Sequence, residues 1–329
     1  MKNFINRVDS VLEESLDGFA AAHADLVVLG NEYEFIRRKH IKPGKVALIS
    51  GGGSGHEPLH AGFVGFGMLD AACPGQIFTS PTPNQMLSAA QAVDGGAGVL
   101  FIVKNYSGDM MNFHMAAEIL DLENATVVVN DDVAVENSTH TTGRRGVAGT
   151  LIVEKILGAA AERGDSLQQL KTLGDAVNKA TASMGVALSS CTVPAAGKPT
   201  FQIGATEMEV GVGIHGEPGR RRVPLASADA IAHELTTAVI EDLSLQAGQE
   251  VILLVNGFGG TPMLELYLMV KAARKVLAKS GVTVVRFLTG SYVTSLEMAG
   301  CSITVTAVND EFLALWDAAV CTPALRWGM

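Results

Sequence analysis

Residues 51–58, with the sequence GGGSGHEP, place a histidine directly after a cluster of glycines. A glycine-rich turn at the carboxyl end of a strand is a common ligand site in open α/β sheets, because the backbone can approach a ligand closely there. An imidazole in such a turn could exchange a proton with the ligand. The first candidate site therefore consists of Gly53, Ser54, Gly55 and His56.

The better-known motifs built on glycines or histidines do not fit this loop. No Lys-Ser or Lys-Thr pair follows the glycines, which excludes a P-loop, and His56 stands where a nucleophile elbow has its last glycine. A dinucleotide fingerprint would need a third glycine. Residues 56–60 read HEPLH and match the zinc pattern H-E-x-x-H, but Pro58 interrupts the helix that this pattern requires. We therefore predict no metal site.

A second group of polar residues, KNYSGD at 104–109, follows another apolar run. Lysine and aspartate at the end of a buried strand are costly unless they meet a partner or a ligand. Because the carboxyl ends of parallel strands meet at one edge of the sheet, we expect Lys104 and Asp109 to share a crevice with His56. The alternative is a pair of tight turns in which the histidine is incidental.

The third candidate is His215, within the sequence EVGVGIHGEPG at 209–219. Its glycine neighbours should leave the imidazole sterically open. With an unperturbed pKa of about 6.5, the ring is mostly neutral near pH 7 and could serve as a base, a metal ligand or a nucleophile. A loop histidine without a chemical role is equally consistent with this segment.

The apolar pattern predicts an α/β fold with two lobes. Short apolar runs at 45–50, 98–104 and 126–130 alternate with helical patterns at 83–93 and 110–122, which favours a mostly parallel sheet covered by helices on both faces. Further helices are predicted at 144–162 and 166–181. After residue 184 the strands become shorter and lie in a glycine-rich context, at 185–192, 201–203 and 208–214.

A second α/β run then follows, with helices at 227–243 and 262–278 and strands at 251–256, 282–288 and 303–308. We therefore predict a first lobe over residues 1–182, which carries the glycine-rich loops. A second, smaller lobe with a mixed sheet is predicted over residues 183–329, and it carries His215.

Composition narrows the class of protein. The 329 residues are 48% hydrophobic and 18% charged, which is enough for a large core and excludes a disordered chain. A net charge of −10 argues against a nucleic-acid or anionic-membrane partner. No apolar run reaches the roughly 20 residues of a membrane span, and the N-terminus lacks the core of a signal peptide, so we expect a cytoplasmic protein. Four scattered cysteines without a C-x-x-C pair indicate reduced thiols.

A series of blocks along the chain resembles the motifs of one family, the K subunit of dihydroxyacetone kinase. In order, the blocks read ALISGGGSGHEP, PGQIFTSPTPNQ, VKNYSGDMMNF, VNDDVAVE, TGRRGVAGT, CTVPAAGKP, EVGVGIHGEPG and LWDAAVCTPALRWG. The resemblance extends from about residue 6 to residue 327 and covers nearly the whole chain. The combination of GGGSGHEP with GVGIHGEPG makes it specific.

The resemblance implies that His215 attacks the substrate carbonyl and holds a short ketose as a hemiaminal. Gly53, Ser54, Gly55, Lys104 and Asp109 would hold the hydroxyl groups, and His56 with Asp109 would accept the proton of the hydroxyl that is phosphorylated. The energetics of binding agree. A small ligand gains at most about 1.5 kcal/mol per non-hydrogen atom, so a three-carbon ketone has too few atoms to bind tightly through ordinary contacts. A reversible C–N bond adds affinity and selects carbonyl compounds.

The resemblance also implies partners. The sequence carries neither a P-loop nor the protein-kinase motifs, so we expect a separate L subunit to hold ATP, or ADP, with Mg²⁺. A phosphotransferase-system M protein is the alternative phosphoryl source, and a homodimer is expected. Two other functions remain open. One is a kinase subunit for a neighbouring ketose such as erythrulose, and the other is a ketone-sensing regulatory paralogue without catalysis.

Overall fold

The apolar runs of the first half of the chain form a six-stranded sheet in the computed structural model, which describes residues 3–135 and 143–329. The strands are β1 (Val27–Leu29), β2 (Ile36–Arg38), β3 (Ala47–Ser54), β4 (Ala71–Ile77), β5 (Val99–Lys104) and β6 (Asn124–Val129). Their order is β1-β2-β4-β3-β5-β6, with the last four parallel and the first two antiparallel at one edge. The predicted mostly parallel sheet is confirmed.

Helices accompany this sheet on both faces. They are α1 (Val11–Ala22), α2 (Pro83–Val93), α3 (Ser107–Ile119), α4 (Gly149–Arg163) and α5 (Leu167–Lys179). Apolar residues of α2 and α3, such as Met86 and Phe113, form one core with the strand residues Ile49 and Phe101. The alternate strand residues on the opposite face are buried too, and Gly174 of α5 lies against the side chain of Val127.

Strand β3 runs further than the predicted 45–50, through the glycines to Ser54. The glycines make this possible, because β3 lies very close to β4. A Cβ atom added to Gly51 would lie 2.6 Å from the carbonyl oxygen of Cys73. The glycine cluster is therefore part of the sheet as well as of the loop that follows it.

The second half of the chain forms a mixed sheet that also has six strands. These are β7 (Thr181–Ala187), β8 (Glu207–Val210), β9 (Arg221–Pro224), β10 (Glu250–Gly257), β11 (Thr283–Gly290) and β12 (Gly300–Ala307), in the order β11-β10-β12-β7-β8-β9. Only β10 and β11 are parallel. Helices α6 (Ala228–Leu243) and α7 (Met263–Lys279) share its core. The chain ends with α8 (Asp310–Asp317), β13 (Val320–Cys321) and β14 (Arg326–Trp327).

Two strand predictions in this half need correction. Residues 201–203 form no strand, and the strand predicted at 208–214 ends at Val210. The chain leaves the sheet at Gly211, whose φ of 79° is a left-handed conformation that glycine adopts without strain. The segment that carries His215 is therefore a loop.

The structure divides into two compact units, each built from more than one stretch of chain. The first unit contains Met1–Val129, Val153–Ala176 and Ala314–Met329, and the second contains Asn130–Ile152 and Val177–Leu313. The division predicted from the sequence, with a boundary between residues 182 and 183, assigns one continuous segment to each lobe and stays a prediction. Glu136 and Thr142, at the ends of two motifs, lie outside the described residues.

Among the helices of the described ranges, none combines the length and the apolar character that a bilayer span requires.

Candidate functional site

The loop after β3 is held in a tight conformation. A Cβ atom at Gly53 would lie 2.6 Å from the backbone nitrogen of Thr79, so only glycine fits there. Gly55 has a φ of 99°, and its N–H donates to the carboxylate of Glu57 at 3.0 Å. Ser54 donates from its hydroxyl to the carbonyl oxygen of Gly75 at 2.7 Å. The loop is thus fixed by its own backbone and by the neighbouring strand.

His56 follows this turn and is fully buried. Its ring stacks on the ring of Phe78, with the centroids 5.0 Å apart and an interplanar angle of 20°. Stacking fixes the plane of the imidazole, which a group that exchanges protons with a bound substrate requires.

Lys104 and Asp109, predicted to share a crevice, lie close together. Lys104 is the last residue of β5, Asp109 lies in the first turn of α3, and the Nζ to Oδ2 distance is 3.7 Å. Both side chains are buried. The other carboxylate oxygen of Asp109, Oδ1, is buried without a hydrogen-bond partner among the described residues. A buried acceptor of this kind fits a hydroxyl group supplied by a ligand.

Burial shifts the pKa values of this pair in opposite directions. It raises the pKa of Asp109 above its ordinary value, and the charge of Lys104 opposes the shift. It lowers the pKa of Lys104, and the charges of Asp109 and Glu154 oppose that shift. Each group therefore stabilises the charged form of the other in a site that water does not reach.

Two residues of this site were not predicted from the sequence: His60, which contacts Lys104, and Glu154, which contacts His60. The Nε2 atom of His60 lies 2.8 Å from Lys104 Nζ, and its Nδ1 atom lies 2.6 Å from Oε1 of Glu154. In the sequence, His60 was considered only as the second histidine of the zinc pattern. Glu154 carried a usable signal, because it stands in the apolar run LIVEKIL at 151–157, where a carboxylate needs a buried partner.

The second histidine of the zinc pattern, His60, has protein partners on both sides of its ring. Both of its ring nitrogens lie within hydrogen-bonding distance of protein atoms. Within residues 3–135 and 143–329, no group of three or more histidine, cysteine, aspartate or glutamate side chains could hold a metal ion.

His215 belongs to the second unit and is half-buried. Its backbone N–H donates to Oε2 of Glu217 at 2.9 Å, and Oε1 of Glu217 accepts from Arg145 at 3.0 Å. Arg145 is held in turn by Oδ2 of Asp132 at 2.8 Å and by the carbonyl oxygen of Gly211 at 2.9 Å. A buried, charged network therefore fixes the backbone on which the imidazole is carried.

The glycines beside His215 have a different role from the one expected. A Cβ atom at Gly213 would collide with the carboxylate of Glu217, and one at Gly216 would lie 2.5 Å from Thr200 Oγ1 and 2.8 Å from Cys191 Sγ. Gly216 also has a φ of 73°. These glycines make room for the groups that hold the loop, rather than for the imidazole itself.

A cavity of about 350 Å³ lies beside the glycine-rich loop in the first unit. Gly53 and Ser54 line it, together with His60 and with apolar side chains of α1, such as Leu16 and Phe19. Lys104, at the end of β5, and Asp109, in α3, are not among its lining residues, so the Lys104–Asp109 pair lies outside this cavity.

Comparison with known proteins finds relatives along the whole chain. The Dak1 domain matches residues 17–324. The dihydroxyacetone-binding subunit of the PEP-dependent dihydroxyacetone kinase of Escherichia coli (strain K12) is 49% identical, with 100% of each chain covered.

Two solved structures are similar to this one. The dihydroxyacetone kinase of C. freundii in complex with AMP-PNP and Mg²⁺ has a TM-score of 0.90 at 32% identity, covering 99% of this chain and 61% of that chain. A dihydroxyacetone kinase operon co-activator has a TM-score of 0.89 at 33% identity, covering 95% and 97%.

Proposed function

Because the chain belongs to the Dak1 family, we propose that it is the dihydroxyacetone-binding K subunit of a dihydroxyacetone kinase. The observation that carries the proposal is the buried Asp109 carboxylate, whose Oδ1 atom has no hydrogen-bond partner among the described residues and whose Oδ2 atom lies 3.7 Å from Lys104. An acceptor and a cation in this arrangement suit a polyhydroxy substrate. The full-length match to a dihydroxyacetone-binding subunit supports the same substrate class.

The ketose is held covalently in this proposal. The neutral imidazole of His215 attacks the carbonyl carbon through its unprotonated nitrogen. The proton that the ring gives up is transferred to the carbonyl oxygen, so a neutral hemiaminal forms without loss of water. The network of Glu217, Arg145 and Asp132 supports this role, because it fixes the backbone of the nucleophile before substrate arrives.

The hydroxyl groups of the ketose are held by the backbone of Gly53 to Gly55 and by Lys104. His56, with Asp109, accepts the proton of the terminal hydroxyl as that oxygen attacks the phosphoryl group. The raised pKa of Asp109 supports a role in proton transfer, since it is closer to neutral pH than the pKa of an exposed aspartate.

The phosphoryl donor is held by a separate L subunit, which binds ADP or ATP with Mg²⁺. If the nucleotide stays bound to the L subunit, a phosphotransferase-system M protein phosphorylates the ADP left after each transfer back to ATP. The name of the Escherichia coli relative, a subunit of a PEP-dependent kinase, supports this division. The C. freundii kinase, solved with AMP-PNP and Mg²⁺, supports it as well, because this chain covers only 61% of that chain and the rest lies outside the match.

We also propose that the chain forms a homodimer. Leu264, Tyr267 and Leu268 of α7 are 76%, 58% and 49% exposed and lie on one side of that helix, and β11, at the edge of the second sheet, exposes Phe287. Clustered exposed apolar residues mark association surfaces. Sedimentation should show a dimer that Leu264→Asp weakens, while Leu225→Asp, at a 50% exposed leucine that follows β9 at the opposite edge of the second sheet, leaves it intact.

Phosphorylation assays with L subunits, both phosphoryl donors and a panel of three- and four-carbon ketoses test the proposal. Dihydroxyacetone should be the best acceptor, and a preference for erythrulose would reassign the substrate. The similarity to an operon co-activator supports the alternative function, a ketone-sensing regulatory protein without catalysis. Adduct formation without phosphorylation of any ketose would favour that alternative.

A further inference from the structure

Four ionisable side chains form a continuous buried row in the first unit: Glu154, His60, Lys104 and Asp109. Their exposed fractions are 0%, 6%, 0% and 2%. Only Lys104 and Asp109 have a role in the proposed function. Glu154 and His60 lie behind Lys104 and add a carboxylate and an imidazole to an interior where apolar residues would cost less.

The hydrogen-bonding capacity of Lys104 determines how this row is arranged. An ammonium group has three N–H donors and no acceptor. One donor faces the carbonyl oxygen of Gly51 at 3.2 Å, and another faces Nε2 of His60 at 2.8 Å. The Nε2 atom must then accept, so the neutral ring carries its proton on Nδ1 and donates to Glu154 at 2.6 Å.

The third donor of Lys104 is on the side of Asp109, at a distance of 3.7 Å that is longer than a hydrogen bond. The side chain is confined on the glycine side as well, because a Cβ atom at Gly52 would collide with Nζ. Two of the three N–H groups are thus committed to protein acceptors, and one remains for the substrate.

We propose that Glu154 and His60 are positioning residues for Lys104, which orient its ammonium group so that the remaining N–H is directed to a hydroxyl of the bound ketose. This inference rests on the proposed function, which makes Lys104 a substrate-binding residue. It identifies His60 as the acceptor that fixes Lys104 and Glu154 as the carboxylate that fixes the tautomer of His60.

The electrostatics of the row support this arrangement. Burial and the charge of Lys104 hold the pKa of His60 well below 6.5, so the ring stays neutral and can accept a hydrogen bond. Burial raises the pKa of Glu154 to about 8 and lowers that of Lys104, and the charge of each group opposes the shift of the other. The contact of Nε2 with Lys104 therefore remains the observation that assigns the ring proton to Nδ1. Without Glu154, the ring would lose the acceptor that holds its proton on Nδ1.

The test measures ketose binding by the full chain without a partner subunit. In ¹³C NMR with [2-¹³C]dihydroxyacetone, adduct formation moves the labelled resonance from the carbonyl region to that of a tetrahedral carbon. His60→Leu and Glu154→Leu should each raise the dissociation constant by about 10- to 100-fold, the usual range for a hydrogen bond to a charged group. His60→Gln, whose amide can accept from Lys104 and donate to Glu154, should recover most of the binding.

Lys45→Met is the matched control, because Lys45 is another buried lysine of the first unit, paired with Asp70 outside the row. It should lower the melting temperature without changing ketose binding. In ¹⁵N-histidine spectra of the free protein, His60 should carry its proton on Nδ1, and Glu154→Leu should alter those shifts.

The outcomes separate the two proposals. A wild-type protein that forms no adduct would overturn the proposed function, and the role of Lys104 with it. If the wild type forms the adduct, and folded His60→Leu and Glu154→Leu variants bind the ketose equally well, this inference alone would be overturned. Losses of binding no larger than that of Lys45→Met at matched stability would also overturn it.

Discussion

The carboxylate of Glu217 accepts a hydrogen bond from the backbone N–H of His215 at 2.9 Å, so the loop is held through its main chain. The same carboxylate accepts from Arg145 at 3.0 Å. The position of the loop therefore depends on contacts that do not involve the imidazole.

His215→Ala should abolish the ketose adduct and leave the fold intact. The substitution removes the nucleophile but keeps the backbone N–H that Glu217 accepts. The ¹³C signal of a tetrahedral carbon should disappear, while the melting temperature changes by only a few degrees. A signal that persists in this variant would place the covalent bond on another residue.

Glu217→Ala should weaken ketose binding although His215 is still present. It removes charge-assisted hydrogen bonds to His215 and Arg145, each worth about 1.5–3 kcal/mol in a buried setting. The dissociation constant of dihydroxyacetone should rise at least tenfold. Glu207→Ala, which removes a carboxylate that only caps a neighbouring exposed turn at Gly204, serves as the control. Equal affinities in the two variants would contradict a positioning role for Glu217.

His56→Asn and Asp109→Asn should separate binding from turnover. If the two residues transfer a proton, each change should lower kcat by about 10²- to 10⁴-fold in the presence of the L subunit and donor. The adduct at His215 should still form. Changes in ketose affinity with no effect on kcat would instead assign both residues to substrate binding.

The purified chain should not phosphorylate dihydroxyacetone with ATP alone. Its sequence carries neither a P-loop nor the protein-kinase motifs. Activity should appear on addition of an L subunit, in assays that couple product formation to its reduction. Turnover by the isolated chain at about 1–100 s⁻¹, the usual range of kinases, would contradict the proposed division between subunits.

Much of the first sheet could be predicted from local sequence. The runs that form β3 and β5 are apolar and short, and α2 begins at a proline after a threonine cap, so its bounds of 83–93 agree with the prediction. Strand β4 could not be predicted, because Ala71–Ile77 reads AACPGQI and has little strand propensity. It forms because β3 and β2 offer it ladder partners on both sides.

The site residues at strand ends could be predicted from the sequence. Contacts between residues that are far apart in the sequence could not. Lys104 and Asp109 are five residues apart in sequence, and the structure brings them within 3.7 Å. His60 and Glu154 are 94 residues apart, and no local pattern joins them. The glycines beside His215 were interpreted as open space, whereas packing against Glu217 and Thr200 explains them.

Lys155 supplies a prediction on pH and stability. It is fully buried, donates to the carbonyl oxygen of Leu315 at 2.8 Å, and lies 5.5 Å from the ring centre of Trp327. Burial lowers its pKa from 10.5 to about 8. Between these values the unfolded chain binds more protons than the folded chain, so the stability contributed by this group rises with pH.

The free energy of unfolding of the wild type, relative to that of Lys155→Met, should therefore increase by up to about 3 kcal/mol between pH 8 and pH 10.5. Urea denaturation at a series of pH values measures this difference, and comparison with the variant cancels the titration of other groups. Lys171→Met, at a partly exposed lysine paired with Asp175, is the control for the loss of a lysine outside the core. A difference between wild type and Lys155→Met that stays constant over this range would show that the folded protein leaves the pKa of Lys155 at its ordinary value.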